Sequence, residues 1–196
     1  MSLMMDYICE QPKVLRSILR HAGEITGPFV EAFRDRSVRN VLAIGTGSSW
    51  NSASAVPLLY GKWLHASFQP LPPTRCLPLA GCCDPEDTVV IFCSQSGTST
   101  STNAYVDLLK KKGFPTVSVC QDPKAYLPAH TDIQIALEVG EEDWGPKTKG
   151  VTGTILTLSM MALELGRAKG FVSDEETEKI LRTYERSFDV MQELSP

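Results

Sequence analysis

The sequence predicts an α/β fold, a doubly wound and mostly parallel five-stranded sheet with helices on both faces. Three observations carry this. Short apolar runs, mostly β-branched, recur at strand length. Segments of helical period separate them, so consecutive strands are joined by right-handed crossovers and lie parallel. At least two of the strands end in loops rich in glycine, serine and threonine. The 196 residues carry no internal repeat and no low-complexity linker, and 42% of them are hydrophobic, enough to bury one sizeable core.

In chain order, Glu10-Gln11-Pro12 open a helix with Val14, Leu15, Ile18 and Leu19 at helical spacing, since proline suits a first turn. Met1 to Met5 are set aside as a cloning remnant before the native start. A second helix is expected from near Pro28 to about Arg36. "VRNVLAI", Val38 to Ile44, is a buried strand stopped by Gly45, and the helical pattern after it breaks or kinks at Pro57. The proline-rich stretch that follows is expected to be irregular around a short strand near Arg75 to Leu79. "DTVVIFCS" is the next strand, "SGTSTSTNAYVDLLKKKG" a turn and one helix with a glycine stop, and "FPTVSVC" and "TDIQIALEVG" two more strands. A long apolar helix begins at "TKGVTG", and "SDEETEKILRTYERSFDVMQEL" is a capped amphipathic one. Residues 1–36 thus form N-terminal helices packed on a domain of residues 37–170, and 171–196 form a connector-like C-terminal helix.

The formal charge of −4 argues against a nucleic-acid protein and against adhesion to an anionic membrane surface. No apolar run approaches a membrane span and no secretory segment opens the chain. Four of the six cysteines stand singly among apolar residues. Cys82-Cys83 are adjacent, unlike the Cys-x-x-Cys of zinc and redox sites. A reducing, cytoplasmic compartment is the expectation, with no metal and no cofactor. His21, His65 and His130 lack partners in sequence and read as surface or packing residues.

The candidate chemistry lies in the loops. In parallel sheets ligands sit at the carboxyl ends of strands, where the strand order reverses. "SQSGTSTST", Ser94 to Thr102, and "GTGSSW", Gly45 to Trp50, both fall at such ends. A helix start supplies uncommitted N–H groups, Ser94, Ser96, Thr98 and Ser99 add hydroxyls, and Gly97 removes a Cβ that would hold an anion away. Gly45, Gly47, Ser48 and Ser49 offer a similar neighbouring wall. Serine and threonine at such junctions are also ordinary helix caps, but one cap per helix accounts for two hydroxyls and not the cluster. Nucleotide patterns fit less well. The third glycine of a dinucleotide loop, the ribose-binding carboxylate, the phosphate-loop lysine and the Gly-x-Ser-x-Gly elbow are all absent. A third stretch, "EVGEEDWGPKTKG", gathers Glu141, Glu142 and Asp143 beside Lys147 and Lys149, with Gly145-Pro146 turning the chain into the long helix. It reads either as a solvated charged loop or as part of the site.

Together these stretches resemble the SIS (sugar isomerase) domains, whose fold is a flavodoxin-like three-layer sandwich. "SQSGTSTST" is similar to that family's Ser-Gln-Ser-Gly-Glu-Thr phosphate loop, and "GTGSSWNSA" to its first strand-end loop. "GEEDWGPKTKGVT" resembles the stretch in which a Glu stands ahead of a Thr-Lys pair in the branch of glucosamine-6-phosphate synthase isomerase halves and fructosamine-6-phosphate deglycases. "YICEQPKVLRSIL" resembles that branch's Glu-Gln-Pro start. The resemblance spans about residues 6 to 190. It implies that Ser94, Gln95, Ser96 and Ser99 hold a phosphate and nearby sugar oxygens, with Gly97 giving access. It implies that Gly47, Ser48 and Ser49 line the other wall, and that Glu142 and Lys149 take the family's Glu and Lys positions in the third stretch. Two residues depart from the pattern: Thr98 replaces the loop's Glu and Trp50 the common Tyr.

The ligand implied is a sugar phosphate or amino-sugar phosphate, transformed by metal-free proton transfer through an enediol or an imine. Members of this branch usually carry two such domains in tandem, with the base largely in the second, whereas this sequence spans about one. Glu141 and Glu142 are the clustered carboxylates available as a base. The alternative is a regulatory module that binds phosphosugar without a base. A homodimer is expected, because the apolar faces of the N-terminal and last helices exceed what one sheet covers.

Overall fold

The computed structural model describes residues 3–143 and 146–195. Five strands, β1 Asn40–Ile44, β2 Ser67–Leu71, β3 Thr88–Cys93, β4 Thr116–Cys120 and β5 Ile133–Ala136, form one sheet in the order β2-β1-β3-β4-β5. Every neighbouring pair is parallel. The helices are α1 Leu3–Arg20, α2 Ala22–Phe33, α3 Gly47–Ser54, α4 Pro57–Leu64, α5 Pro73–Ala80, α6 Thr100–Asn103, α7 Val106–Lys111, α8 Tyr126–His130, α9 Lys149–Ala168 and α10 Asp174–Leu194. The expected doubly wound α/β sandwich is what the chain forms.

Alternation along the central strands explains the three layers. Val41, Ala43, Val89 and Ile91 point to the face covered by α1, α2, α4, α9 and α10. Leu42, Ile44, Val90 and Phe92 point to the face covered by α5, α7 and α8. Helix α9 is the centre of the first face and contacts α1, α2, α3 and α4. The last helix opens as its sequence indicates, the Ser173 hydroxyl accepting the Glu176 amide at 3.1 Å. Among the described residues no helix is long and apolar enough to cross a membrane.

Four expectations are corrected. The strand placed near Arg75–Leu79 lies earlier, at β2, and residues 73–80 are helical. Pro73 sits at a first helical turn, where its missing N–H is harmless, and Pro70 is tolerated because β2 is an edge strand. Helix α1 begins by Leu3, so Pro12 lies inside it, and the Ile8 carbonyl receives the Gln11 side-chain amide at 3.5 Å. Helix α2 begins at Ala22, because Ala22, Ile25, Thr26, Phe29 and Phe33 supply one buried stripe. The single helix expected after Ser96 is two, α6 and α7, where threonine hydroxyls bond locally, Thr102 Oγ1 to Ser99 Oγ at 3.1 Å. The break at Pro57 is present, between α3 and α4. Met1, Ser2 and Gly145 lie outside the described residues.

The apolar faces of α1 and α2 are covered within the chain, by α9 and, for α1, also by α10. What stays exposed on α10 is Val190 and Leu194, one turn apart.

Candidate functional site

The sheet register brings the two hydroxyl-rich loops together. Ile44 pairs with Phe92, so the chain leaves β1 and β3 side by side at the carboxyl edge. The strand order reverses there, since β2 lies on one side of β1 and β3 on the other. A cavity of about 570 Å³ opens at this point, lined by Thr46, Ser48, Ser49, Ser94, Gln95, Ser96, Thr98 and Ser99 and by Gln121, Asp122, Glu141, Glu142, Asp143 and Lys147.

The lining divides along the edge. The loops after β1 and β3 contribute uncharged groups, nearly all hydroxyls, and the loops after β4 and β5 contribute four carboxylates and one lysine. On the hydroxyl side, Thr46 and Ser99 approach at 3.5 Å across the two loops. Ser96 and Thr98 share a 2.8 Å hydrogen bond. The buried Ser94 hydroxyl accepts the Gly97 amide at 3.2 Å. Gly97 has φ +68°, and a Cβ there would lie 2.5 Å from Ala125 Cβ and 2.7 Å from Cys120 Sγ. Conformation and contact both require glycine, and the loop turns tightly for that reason.

Glu142 is 6% exposed and anchors the charged side. Its Oε1 accepts the Thr148 amide and hydroxyl, both at 2.8 Å, and the Lys149 amide at 3.1 Å. Its Oε2 accepts the Gly150 amide at 2.9 Å and Gln95 Nε2 at 3.2 Å. The carboxylate therefore sits on the open end of the α9 amides, the favourable place for negative charge. Burial pushes its pKa up, but the donors from Thr148, Gln95 and Gly150 outweigh that and hold it below the usual carboxylate range. Glu141 is exposed at the same cavity and its carboxylate accepts no hydrogen bond from the described residues.

Of the expected site residues, Ser48, Ser49, Ser94, Gln95, Ser96, Ser99, Glu141 and Glu142 meet around the cavity. Gly47 and Gly97 shape the backbone beside it. The structure does not bring Lys149 there. Its ammonium, on a residue 5% exposed, pairs with Glu10 Oε2 at 2.5 Å and lies 4.9 Å above the Tyr7 ring. Lys147 lines the cavity in its place and donates to the Glu142 carbonyl.

Sequence reasoning missed two sets of residues. Tyr7, Glu10 and Gln11 of α1 hold the third loop: the Tyr7 hydroxyl accepts the Asp143 amide at 3.0 Å, and Gln11 Oε1 accepts the Thr152 hydroxyl at 2.8 Å. Gln121 and Asp122, after β4, line the cavity. The signal for the second set was available, since every strand end of such a sheet is a candidate.

Residues 36–164 match the family model described as SIS domain. Glutamine–fructose-6-phosphate aminotransferase (isomerizing) of Bacteroides thetaiotaomicron is 28% identical over 190 residues, which cover 91% of this chain and 30% of that protein. A structure provisionally described as a phosphosugar isomerase of Clostridium difficile 630 matches with a TM-score of 0.88 at 25% identity, covering 96% of this chain and 52% of that one. The C-terminal domain of glucosamine-fructose-6-phosphate aminotransferase from Francisella tularensis shares the fold with a TM-score of 0.77 at 16% identity, with 96% of this chain and 54% of that one covered. This chain thus spans under a third of the Bacteroides aminotransferase and about half of each of these two structures. With the hydroxyl-rich loop, the strand-end cavity and the family match falling on the same segment, the chain belongs to the SIS domain family.

Proposed function

We propose that this chain binds a sugar phosphate or amino-sugar phosphate in the strand-end cavity, as the phosphosugar-binding domain of an aldose–ketose isomerase or amino-sugar-phosphate deglycase. The observation that carries this is the divided lining. Neutral hydroxyls and glycine on the β1 and β3 loops suit a phosphate, which needs donors without a competing carboxylate. Acids on the β4 and β5 loops suit the hydroxyls and any ammonium of the sugar. Glu141, exposed and with no hydrogen-bond donor to its carboxylate among the described residues, takes the role of base in proton transfer between C1 and C2. A binding module without turnover is the second reading, favoured by the saturation of Glu142, whose oxygens are both fully engaged.

Titration calorimetry tests the reading. Fructose 6-phosphate and glucosamine 6-phosphate are expected to bind, the amino sugar about 2–5-fold tighter because of exposed carboxylates near its ammonium. Ser96→Ala is expected to weaken both at least about 10-fold, the worth of one hydrogen bond to a charged group. No binding of either, or binding unchanged by Ser96→Ala, removes the phosphate assignment. Exchange of the C2 proton, followed by NMR in deuterium oxide, separates the enzyme from the module; loss of exchange in Glu141→Gln identifies the base.

Association with a second copy and a cytoplasmic setting belong to the same reading. The first is supported by the adjacent exposed Val190 and Leu194, the second by six unpaired thiols. Sedimentation over a range of concentrations decides the first: a monomer throughout removes it.

A further inference from the structure

We propose that Gln95 and Glu142 are positioning residues that hold the hydroxyl loop and the start of α9 in one fixed relation, acting through the hydrogen bond between them. Gln95 stands in the hydroxyl loop, where its place in the sequence suggests contact with the ligand. Its side chain instead turns along the sheet edge and donates to Glu142 Oε2 at 3.2 Å. Its backbone carbonyl accepts the Gln121 amide at 3.0 Å. Glu142 in turn takes the amides of Thr148, Lys149 and Gly150. One residue from each half of the cavity therefore meets the other, and no other side-chain hydrogen bond in the described residues joins Ser94–Ser99 to the segment 139–150.

The room for this bond is made by a glycine. A Cβ at Gly150 would lie 2.3 Å from Gln95 Oε1 and 2.6 Å from Glu142 Oε2, so any side chain there would push the pair apart. Helix α1 braces the far side, through Glu10 on Lys149 and Gln11 on Thr152. The phosphate-side donors and the acidic side are thus set at one spacing before a ligand arrives. A preorganised site of this kind loses affinity when its supports move, even where no contact to the ligand is removed.

The experiment compares the full chain with Gln95→Glu, Glu142→Gln and the double variant. Gln95→Glu sets two carboxylates against each other. The double variant removes that repulsion and lets an amide nitrogen at position 142 donate to a carboxylate at position 95, at the loss of the acceptor that Oε2 gives the Gly150 amide, which makes it a partial rescue. Two readouts are used. Amide hydrogen exchange of residues 148–152 is expected to rise at least about 10-fold in Gln95→Glu, although the substitution is in the other loop, and to fall in the double variant to about the level of Glu142→Gln alone. Affinity for glucosamine 6-phosphate is expected to follow the same order. Exchange at 148–152 unchanged by Gln95→Glu, or a double variant no better than Gln95→Glu, overturns the proposal. If Gln95→Glu does not fold, Gln95→Leu removes the bond without the repulsion and carries the same expectation for exchange. The affinity arm rests on the phosphosugar reading and the exchange arm does not. A chain that binds no sugar phosphate but shows the coupled exchange therefore loses only the former.

Discussion

Glu142→Ala is expected to lower the stability of the chain by about 3–5 kcal/mol, read from urea unfolding, because it strips a carboxylate from donors that have no other partner. Thr148, Lys149 and Gly150 offer backbone amides at a helix end, and Lys149 and Gly150 are buried. Removing the acceptor leaves those amides unpaired, two of them on buried residues. Glu141→Ala, one residue earlier on an exposed side chain, is expected to stay within about 0.5 kcal/mol of the parent. A small effect at Glu142 would mean that the α9 amides find other partners.

The same carboxylate gives the expectation a pH dependence. Burial pushes its pKa up in the folded chain, and the donors from Thr148, Gln95 and Gly150 pull it down by more. A depressed folded pKa contributes stability that is present above the unfolded pKa, about 4.3 for Glu, and is lost as the pH falls through the folded pKa. The gap between the parent and Glu142→Ala is therefore expected to be constant from about pH 6 to 8 and to shrink below about pH 4. Asp132 is also held down: burial raises its pKa, but Lys110 and Thr116 outweigh it. For that reason the difference between two chains, not the acid limb of one, is the measurement. A gap that stays constant to about pH 3 would contradict the assignment.

Gly166→Ala is expected to lower stability by about 2–3 kcal/mol, for a steric reason. A Cβ at Gly166 would lie 2.1 Å from the Trp63 carbonyl oxygen and 3.0 Å from its carbon. These are backbone atoms at the end of α4, so no rotamer change relieves the clash, and α9 must move off α4. The bare backbone of α9 is what allows the two helices to approach this closely. Gly61→Ala is the control. It lies in the interior of α4 with nothing within 4 Å of its added Cβ, and it is expected to gain about 0.5–1 kcal/mol from helix propensity and reduced unfolded-state freedom. Urea denaturation of the two variants, with unchanged m-values, checks both signs. Gly166→Ala as stable as the parent would show that α9 and α4 are not held at that distance.

Much of this molecule was legible before its structure. β1, β3, β4 and β5 are apolar, mostly β-branched runs with punctuated ends, and α9 and α10 have the length and period of a buried and an amphipathic helix. β2 was not legible. "SFQPL" has little strand character of its own, and it is extended because each of its residues pairs with one of β1, from Asn40 with Ser67 to Ile44 with Leu71. The hydroxyl loop was readable as a donor-rich strand end. Lys149 was misplaced because a Thr-Lys pair beside acids looks like a charged site, while its partner Glu10 lies 139 residues away.

Local chemistry, then, is written in the residues: which runs bury, where hydroxyls gather, and which family's loops they resemble. Those properties depend on side-chain type and on neighbours a few positions apart. The tertiary structure alone decided that the cavity has a neutral half and an acidic half, that Lys147 and not Lys149 faces it, and that Glu142 is committed to the amides of α9. Each of these depends on register across the sheet and on contacts such as Gln95 with Glu142, 47 residues apart, which no local pattern encodes.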